Sequence, residues 1–272
     1  WELLHGQNFV SHLGVYRTDR MRDINGFREG FRGSQDFDML LRYIAGADAA
    51  HFIHIPRVLY HWRAHAGSTA LDVGVKSEAV DSAARAVQAR LETFSPGAKA
   101  CVLPHSQFLR VNYPLPKKRP LVSLICSMGD DLSLLEEQLS ALMTKTSYTK
   151  YEIFVLVSDS VPQAQLAKAQ RSASSHKNVH LLPHAAQLSQ AERLLLAAAQ
   201  AHGQVLGFLS GGIAPVTEGW LEELVSCLWR DHVGAVGGKL LRRKGTMVHG
   251  GYLTDASGAL RPVLRSEERR VG

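Results

Sequence analysis

Apolar positions recur at helical spacing in three stretches of the 272-residue chain. Over 35–44 the stripe is Phe37, Leu40, Leu41 and Ile44, with Ser34 placed before it as an N-cap and Gly46 placed to end it, so a short helix is predicted there. Over 76–92 Ala79, Ala83, Ala86, Val87 and Leu91 predict an alanine-rich amphipathic helix. Over 131–143 Leu134, Leu135, Gln138, Leu139 and Leu142 predict a third, bracketed by two apolar runs of strand length, LVSLIC at 121–126 and YEIFVLVS at 151–158. Strand, helix and strand at that separation make a βαβ unit and a parallel sheet, whose ligand crevice lies at the carboxyl ends of the strands. Elsewhere the runs are shorter. Residues 8–17 alternate loosely as a strand or buried turn, 18–24 suit a short helix closed by the turn Asn25-Gly26, and HFIHIP at 51–56 and VLY at 58–60 read as strands.

Composition adds organisation. With 45% hydrophobic residues the chain can bury a core, and Pro114, Pro116 and Pro120 follow the alanine-rich helix, so 71–120 reads as a helical and proline-rich linker. The net charge of +6 is scattered, KKR at 117–119 being the notable internal cluster. Such a balance is compatible with a phosphate-bearing ligand or an anionic membrane surface; a nucleic-acid binder would need a basic stripe with interleaved aromatics, which is not found. Cys101, Cys126 and Cys227 lie far apart in no CxxC pattern, which speaks against a disulfide framework or a thiolate metal site and suits a reducing compartment. There is no apolar run of about 18 residues and no basic-then-apolar start, so neither a transmembrane helix nor a signal peptide is expected. The last eight residues, RSEERRVG, resemble a translated sequencing-adapter oligonucleotide; they carry three Arg and two Glu, and without them the net charge is +5.

The candidate chemistry begins at Asp36 and Asp38, in the first turn of the helix predicted over 35–44. Carboxylates there complement the helix dipole, and spacing alone does not separate that role from a chemical one. His61 and His65 stand four apart, which would suit zinc on a helix, but RVLYHW points to a strand end running into a loop. The GG pairs at 211, 237 and 250 open no helix in a GxGxxG arrangement and read as turns.

Two stretches together resemble family-2 glycosyltransferases. GFREGFRGSQDFDMLLR followed by IPRVLYHWRAHAGSTA resembles the acceptor-side half of such an enzyme, and the resemblance implies that Asp36 is the general base with Asp38 as helper or structural partner. It also implies that His61 completes a metal site and that Trp62 and Arg63 touch donor or acceptor. Inverting sugar transfer needs a base within reach of the acceptor hydroxyl and a cation to neutralise the departing diphosphate. LVSLICSMGDDLSLLEEQLSAL, HGQVLGFLSGGIAPVTEGWLEELV and MVHGGYLTDASG resemble the donor-side half, implying donor contacts at Asp130 and His249. The family's acidic metal-binding pair is replaced here by Ser210, Gly211 and Gly212, so this second site is degenerate.

The resemblance therefore implies an α/β GT-A (Rossmann-like, nucleotide-diphospho-sugar transferase) fold in incomplete halves of a tandem bacterial enzyme. Residues 1–70 would be the acceptor side of a first module, 71–120 the linker, 121–264 the donor side of a second, and 265–272 an artefactual or disordered tail. The halves could stand as two lobes or dock as one composite domain. The implied activity is inverting transfer from a nucleotide-sugar donor to a glycan acceptor in surface polysaccharide synthesis, in the cytoplasm or peripheral to the inner membrane. A divalent cation, Mn or Mg, is implied for the parent enzyme and not for the second module, and this chain by itself is expected to be inactive. The alternative class is a non-catalytic glycan- or partner-binding module.

Overall fold

The computed structural model describes residues 2–10, 13–48, 51–55, 57–61, 76–104, 106–254 and 257–262. They fall into two units, Trp1–Pro114 and Leu115–Gly272.

The regular elements of the first unit are mainly helices: a 3-10 turn at Glu2–His5, α1 (Thr18–Asp23), α2 (Gln35–Tyr43) and α3 (Lys76–Phe94), then a hairpin of β1 (Lys99–Val102) and β2 (Leu109–Asn112). The predicted stripe of α2 is buried, with Phe37, Leu40, Leu41 and Ile44 packed with Ala86, Val87 and Leu91 of α3 and with Leu4, Ala98 and Leu109. Alanine spacing lets the two helices approach closely. Gly33, at φ +77°, sits where an added Cβ would lie 2.8 Å from that of Ala79. Ser34 does not cap α2 as expected; its hydroxyl donates instead to the Ala79 carbonyl of α3 at 2.7 Å.

Two expectations differ from the structure here. The stretch 71–120 reads as a linker, yet α3 and the hairpin belong to the core of the first unit, because the stripe that makes α3 amphipathic is buried against α2. The strands expected over 51–56 and 58–60 are absent among the described residues, as is a strand over 8–17, read as a strand or buried turn, and Val58 and Leu59 are exposed. A strand persists only where its backbone groups find a partner, and no described segment pairs with these.

The second unit is the expected α/β layer structure. Its elements are β3 (Val122–Ser127), α4 (Leu135–Thr144), β4 (Tyr151–Ser158), α5 (Gln163–Ser174), β5 (Val179–His184), α6 (Gln190–Gln200), β6 (Val205–Ser210) and α7 (Trp220–Leu228). The four strands are parallel in the order β5-β4-β3-β6, with Val122 opposite both Tyr151 and Val205. On one face Leu124, Cys126, Ile153 and Val155 pack with Leu135, Leu139 and Leu142 of α4, Ala169 and Ala173 of α5, and Leu221 and Val225 of α7. On the other, Ile125, Phe154 and Leu156 pack with Ala197 of α6. Helices on both faces explain why the central strands are continuous apolar runs rather than alternating ones. Two short hairpins follow, β7 (Leu240–Leu241) with β8 (Met247–His249) and β9 (Tyr252–Thr254) with β10 (Leu260–Pro262).

Candidate functional site

The first turn of α2 carries Asp36 to the wall of a cavity of about 200 Å³ lined by Asn8, Leu13, Gly14, Tyr16, Phe27, Asp36 and Met39. The carboxylate is held at both oxygens: the Phe37 backbone N–H donates to Oδ1 at 2.9 Å, and Asn8 Nδ2 donates to Oδ2 at 3.1 Å. Both donors are neutral. Tyr16 stands close enough to be influenced by Asp36; burial first, then the charges of Asp36 and Tyr43, push its phenol pKa up, so its hydroxyl keeps its proton near neutral pH.

Asp38, two residues on, faces the other way and is buried to 2% side-chain exposure. Its Oδ1 accepts from Arg28 Nε at 2.9 Å and Nη2 at 2.6 Å, and its Oδ2 accepts from Arg28 Nε and Arg42 Nε, each at 3.0 Å. Arg42 also donates to the carbonyls of Ile24 and Gly26, both at 2.6 Å. Asp38 therefore ties Arg28 to α2 and orients Arg42, which holds the turn before Phe27, and both its oxygens accept from guanidinium donors, the single Arg28 Nε hydrogen being shared between them. One turn of helix thus presents a carboxylate open to a cavity and a carboxylate committed to structure.

In the second unit, the carboxyl ends of β3, β4 and β6 bring other candidates together. Asp130 accepts from Ser160 Oγ at 3.2 Å, and Ser160 shares a 2.6 Å bond with Ser158 at the end of β4. Asp159 is engaged with the next loop, accepting the Ala186 N–H at 2.9 Å. The Ser210-Gly211-Gly212 turn is pinned by Gln138, a buried residue of α4. Gln138 Nε2 donates to the Ser210 carbonyl at 3.1 Å, its Oε1 accepts the Gly212 N–H at 3.0 Å, and the Gly211 N–H donates to the Ser127 carbonyl at 2.9 Å.

A divalent cation at this turn would require several oxygen ligands, preferably carboxylates. The residues present do not fit one: the Ser210 carbonyl already accepts from Gln138 and from the Ile213 N–H, and the glycines bring no side chains. Among the described residues no group of three His, Cys, Asp or Glu is placed to hold a metal ion. His61 is described, exposed and outside any such group. Trp62 and Arg63 lie outside the described residues. His249 ends β8, its backbone paired with Leu240.

Three residues that the geometry singles out carry little signal in sequence. Asn8 and Tyr16 reach Asp36 from a segment without regular structure, where no periodicity marks them. Gln138 does leave a trace, as a polar residue inside the apolar stripe of α4.

The strand order and three layers define the second unit as a Rossmann-like α/β unit, a class in which ligands sit at the carboxyl ends of the strands. The chain is 32% identical over 258 residues to the uncharacterized protein y4gI of Sinorhizobium fredii (strain NBRC 101917 / NGR234), a match covering 94% of this chain and 28% of that protein. Over 257 residues it is 30% identical to the O-antigen biosynthesis protein RfbC of Myxococcus xanthus, covering 94% of this chain and 20% of that one. The chain thus spans less than a third of the length of these relatives. Among solved structures, a mannosyltransferase of Pyrobaculum calidifontis in complex with GDP-Man and Mn2+ superposes with a TM-score of 0.41 at 24% identity, covering 48% of this chain and 38% of that one. No protein-family profile matches the chain. Among the described residues no helix is long and apolar enough to cross a membrane.

Proposed function

We propose that this chain is part of a glycosyltransferase of the family-2 kind that moves a sugar from a nucleotide-sugar to a glycan acceptor in surface polysaccharide synthesis. The observation that carries the reading is the contrast on α2: among the described residues Asp36 lines a cavity with only neutral donors on its oxygens, while Asp38 is paired with Arg28 and Arg42. The O-antigen name of one relative agrees with it. In the proposed inverting step the acceptor O–H proton passes to Asp36, the acceptor oxygen bonds the anomeric carbon, and the bond from that carbon to the nucleoside diphosphate breaks. Asp38 holds the loop and takes no proton. No ligand set for a divalent cation is present among the described residues, and this step assigns none.

The test is release of nucleoside diphosphate from UDP-, GDP- and dTDP-sugars by the full-length protein, with methyl glycosides as acceptors. Asp36→Asn should abolish transfer while leaving the melting temperature in place; near-normal turnover in that variant would reject the reading.

The pinned Ser210-Gly211-Gly212 turn favours a second reading for Leu115–Gly272 alone, as a non-catalytic module that binds glycan or a partner. Calorimetry decides it: manganese-dependent binding of a nucleotide-sugar at this turn would overturn the non-catalytic role.

A further inference from the structure

We propose that Asn8 is a positioning residue for Asp36, setting the plane of the carboxylate that receives the acceptor's proton; this rests on the transferase reading above. Asn8 lies 28 residues upstream of Asp36 and reaches it through two anchors. Leu4 is fully buried in the core shared by α2 and α3, and the Gly6 carbonyl accepts the Leu109 N–H at the start of β2 at 2.9 Å. The Asn8 amide is then oriented by its own loop, because its Oδ1 accepts the Val10 N–H at 3.2 Å. With that oxygen engaged, Nδ2 is the atom left to face Asp36 Oδ2 at 3.1 Å.

The chemistry favours an amide at this place. A base must be held to within a fraction of an ångström of the proton it takes, and a misplacement of about 1 Å can cost about a hundredfold in rate. The Phe37 N–H holds Oδ1 from within the helix, and Asn8 supplies the second fixed point from outside it. Together they define the carboxylate plane. An arginine or lysine there would hold Asp36 as an ion pair, as Arg28 and Arg42 hold Asp38, and occupy the lone pairs with charge-assisted bonds. An amide orients without adding charge and leaves the second lone pair of each oxygen free for a hydroxyl in the cavity.

The discriminating variant is Asn8→Asp, made in the full-length protein. It keeps the oxygen that accepts from Val10, and so the loop, but replaces the neutral donor by a second carboxyl about 3 Å from Asp36, bringing like charge or a shared proton in place of the amide N–H. At pH 7.5 the expected result is a fall in kcat of about ten- to a hundredfold, with the acceptor KM within about threefold and the melting temperature retained. Asn8→Ala, which removes the donor without adding charge, should fall in the same direction and separates the lost donor from the added charge of Asn8→Asp. A kcat within twofold of wild type in the folded variant overturns the assignment of Asn8, provided Asp36→Asn is inactive. Activity in Asp36→Asn instead overturns the transferase reading itself. A measurement independent of turnover uses the 15N signal of the Asn8 side-chain amide. It should exchange slowly with solvent and move in Asp36→Asn, and exchange as fast as that of a free asparagine would overturn the contact.

Discussion

Asp36 and Asp38 show how two residues of one type, two positions apart, take separate roles from their surroundings. Asp36→Asn should cost about a hundred- to ten-thousandfold in transfer with little change in stability. Asp38→Asn should do the reverse. It leaves Arg28 and Arg42 facing a neutral amide in a buried place, a loss of about 2 to 4 kcal/mol, softened because both guanidiniums keep some contact with water. Urea unfolding followed beside the activity assay separates the two outcomes. The cysteines make a second contrast at this scale. Cys126 lies inside β3, and burial pushes its thiol up to about 12, whereas Cys101 and Cys227 are partly exposed. A thiolate-selective disulfide reagent should therefore modify Cys101 and Cys227 in the native protein and Cys126 only on unfolding. Mass spectrometry of timed samples would show it, and native labelling of Cys126 would contradict its placement.

At the scale of elements, the turn after β6 depends on one side chain of α4. Gln138→Leu would leave the Gly212 N–H without its side-chain partner and the Ser210 carbonyl with the Ile213 N–H alone, a cost of about 1 kcal/mol at these exposed residues. Amide exchange in peptides covering 205–216 should accelerate more than in those covering β4; equal exchange in variant and wild type would show that the turn holds itself. Legibility in the sequence follows where each element gets its stability. The strands at 122–127 and 151–158 and the helix between them were readable because their apolar runs are local and buried on both sides. Helices α5 and α6 and strand β5 are less legible. α5 buries only small residues, Ala169 and Ala173, which leave no strong stripe. α6 does begin with a legible sign, the capping box in which Ser189 and Glu192 bond reciprocally. The strand reading of VLY failed for the opposite reason, since β-propensity says what fits a sheet and not whether a neighbouring strand exists. Asp36 and Asp38 could be found in the sequence, but their separate roles could not, because Asn8, Arg28 and Arg42 meet them only through the fold.

For the whole molecule, two units in one chain mean that unfolding need not be one transition, and each unit's response to pH is set by its own buried charges. In the second unit the chief one is Glu152, at the amino end of the parallel sheet. Its Oε1 accepts from Ser123 Oγ of β3 at 2.6 Å and from the His202 N–H at 2.8 Å, its Oε2 is 3.1 Å from His202 Nδ1, and Ser123 Oγ in turn accepts the Gly203 N–H at 2.8 Å. Gly203 is required there, since an added Cβ would lie 2.5 Å from Ser123 Oγ and 2.6 Å from its N. One carboxylate thus joins β3, β4 and the segment leading into β6. Burial raises the Glu152 pKa, but the bonds from Ser123, the His202 amide and the His202 ring outweigh it and leave it below the ordinary 4.5. A carboxyl depressed in the folded state contributes stability that is full above its unfolded value and is lost as pH falls through the folded one. The stability of Leu115–Gly272 should therefore hold from neutral pH to about 4.5 and decline below it. Glu152→Gln should weaken this unit at pH 7 and flatten that acid decline, because the amide keeps an acceptor but has no proton to gain. Urea titrations between pH 7 and pH 3, read by hydrogen exchange peptide by peptide, resolve this unit from Trp1–Pro114, whose peptides serve as the internal reference. An acid decline of the same steepness in wild type and Glu152→Gln would assign the pH dependence to other carboxylates.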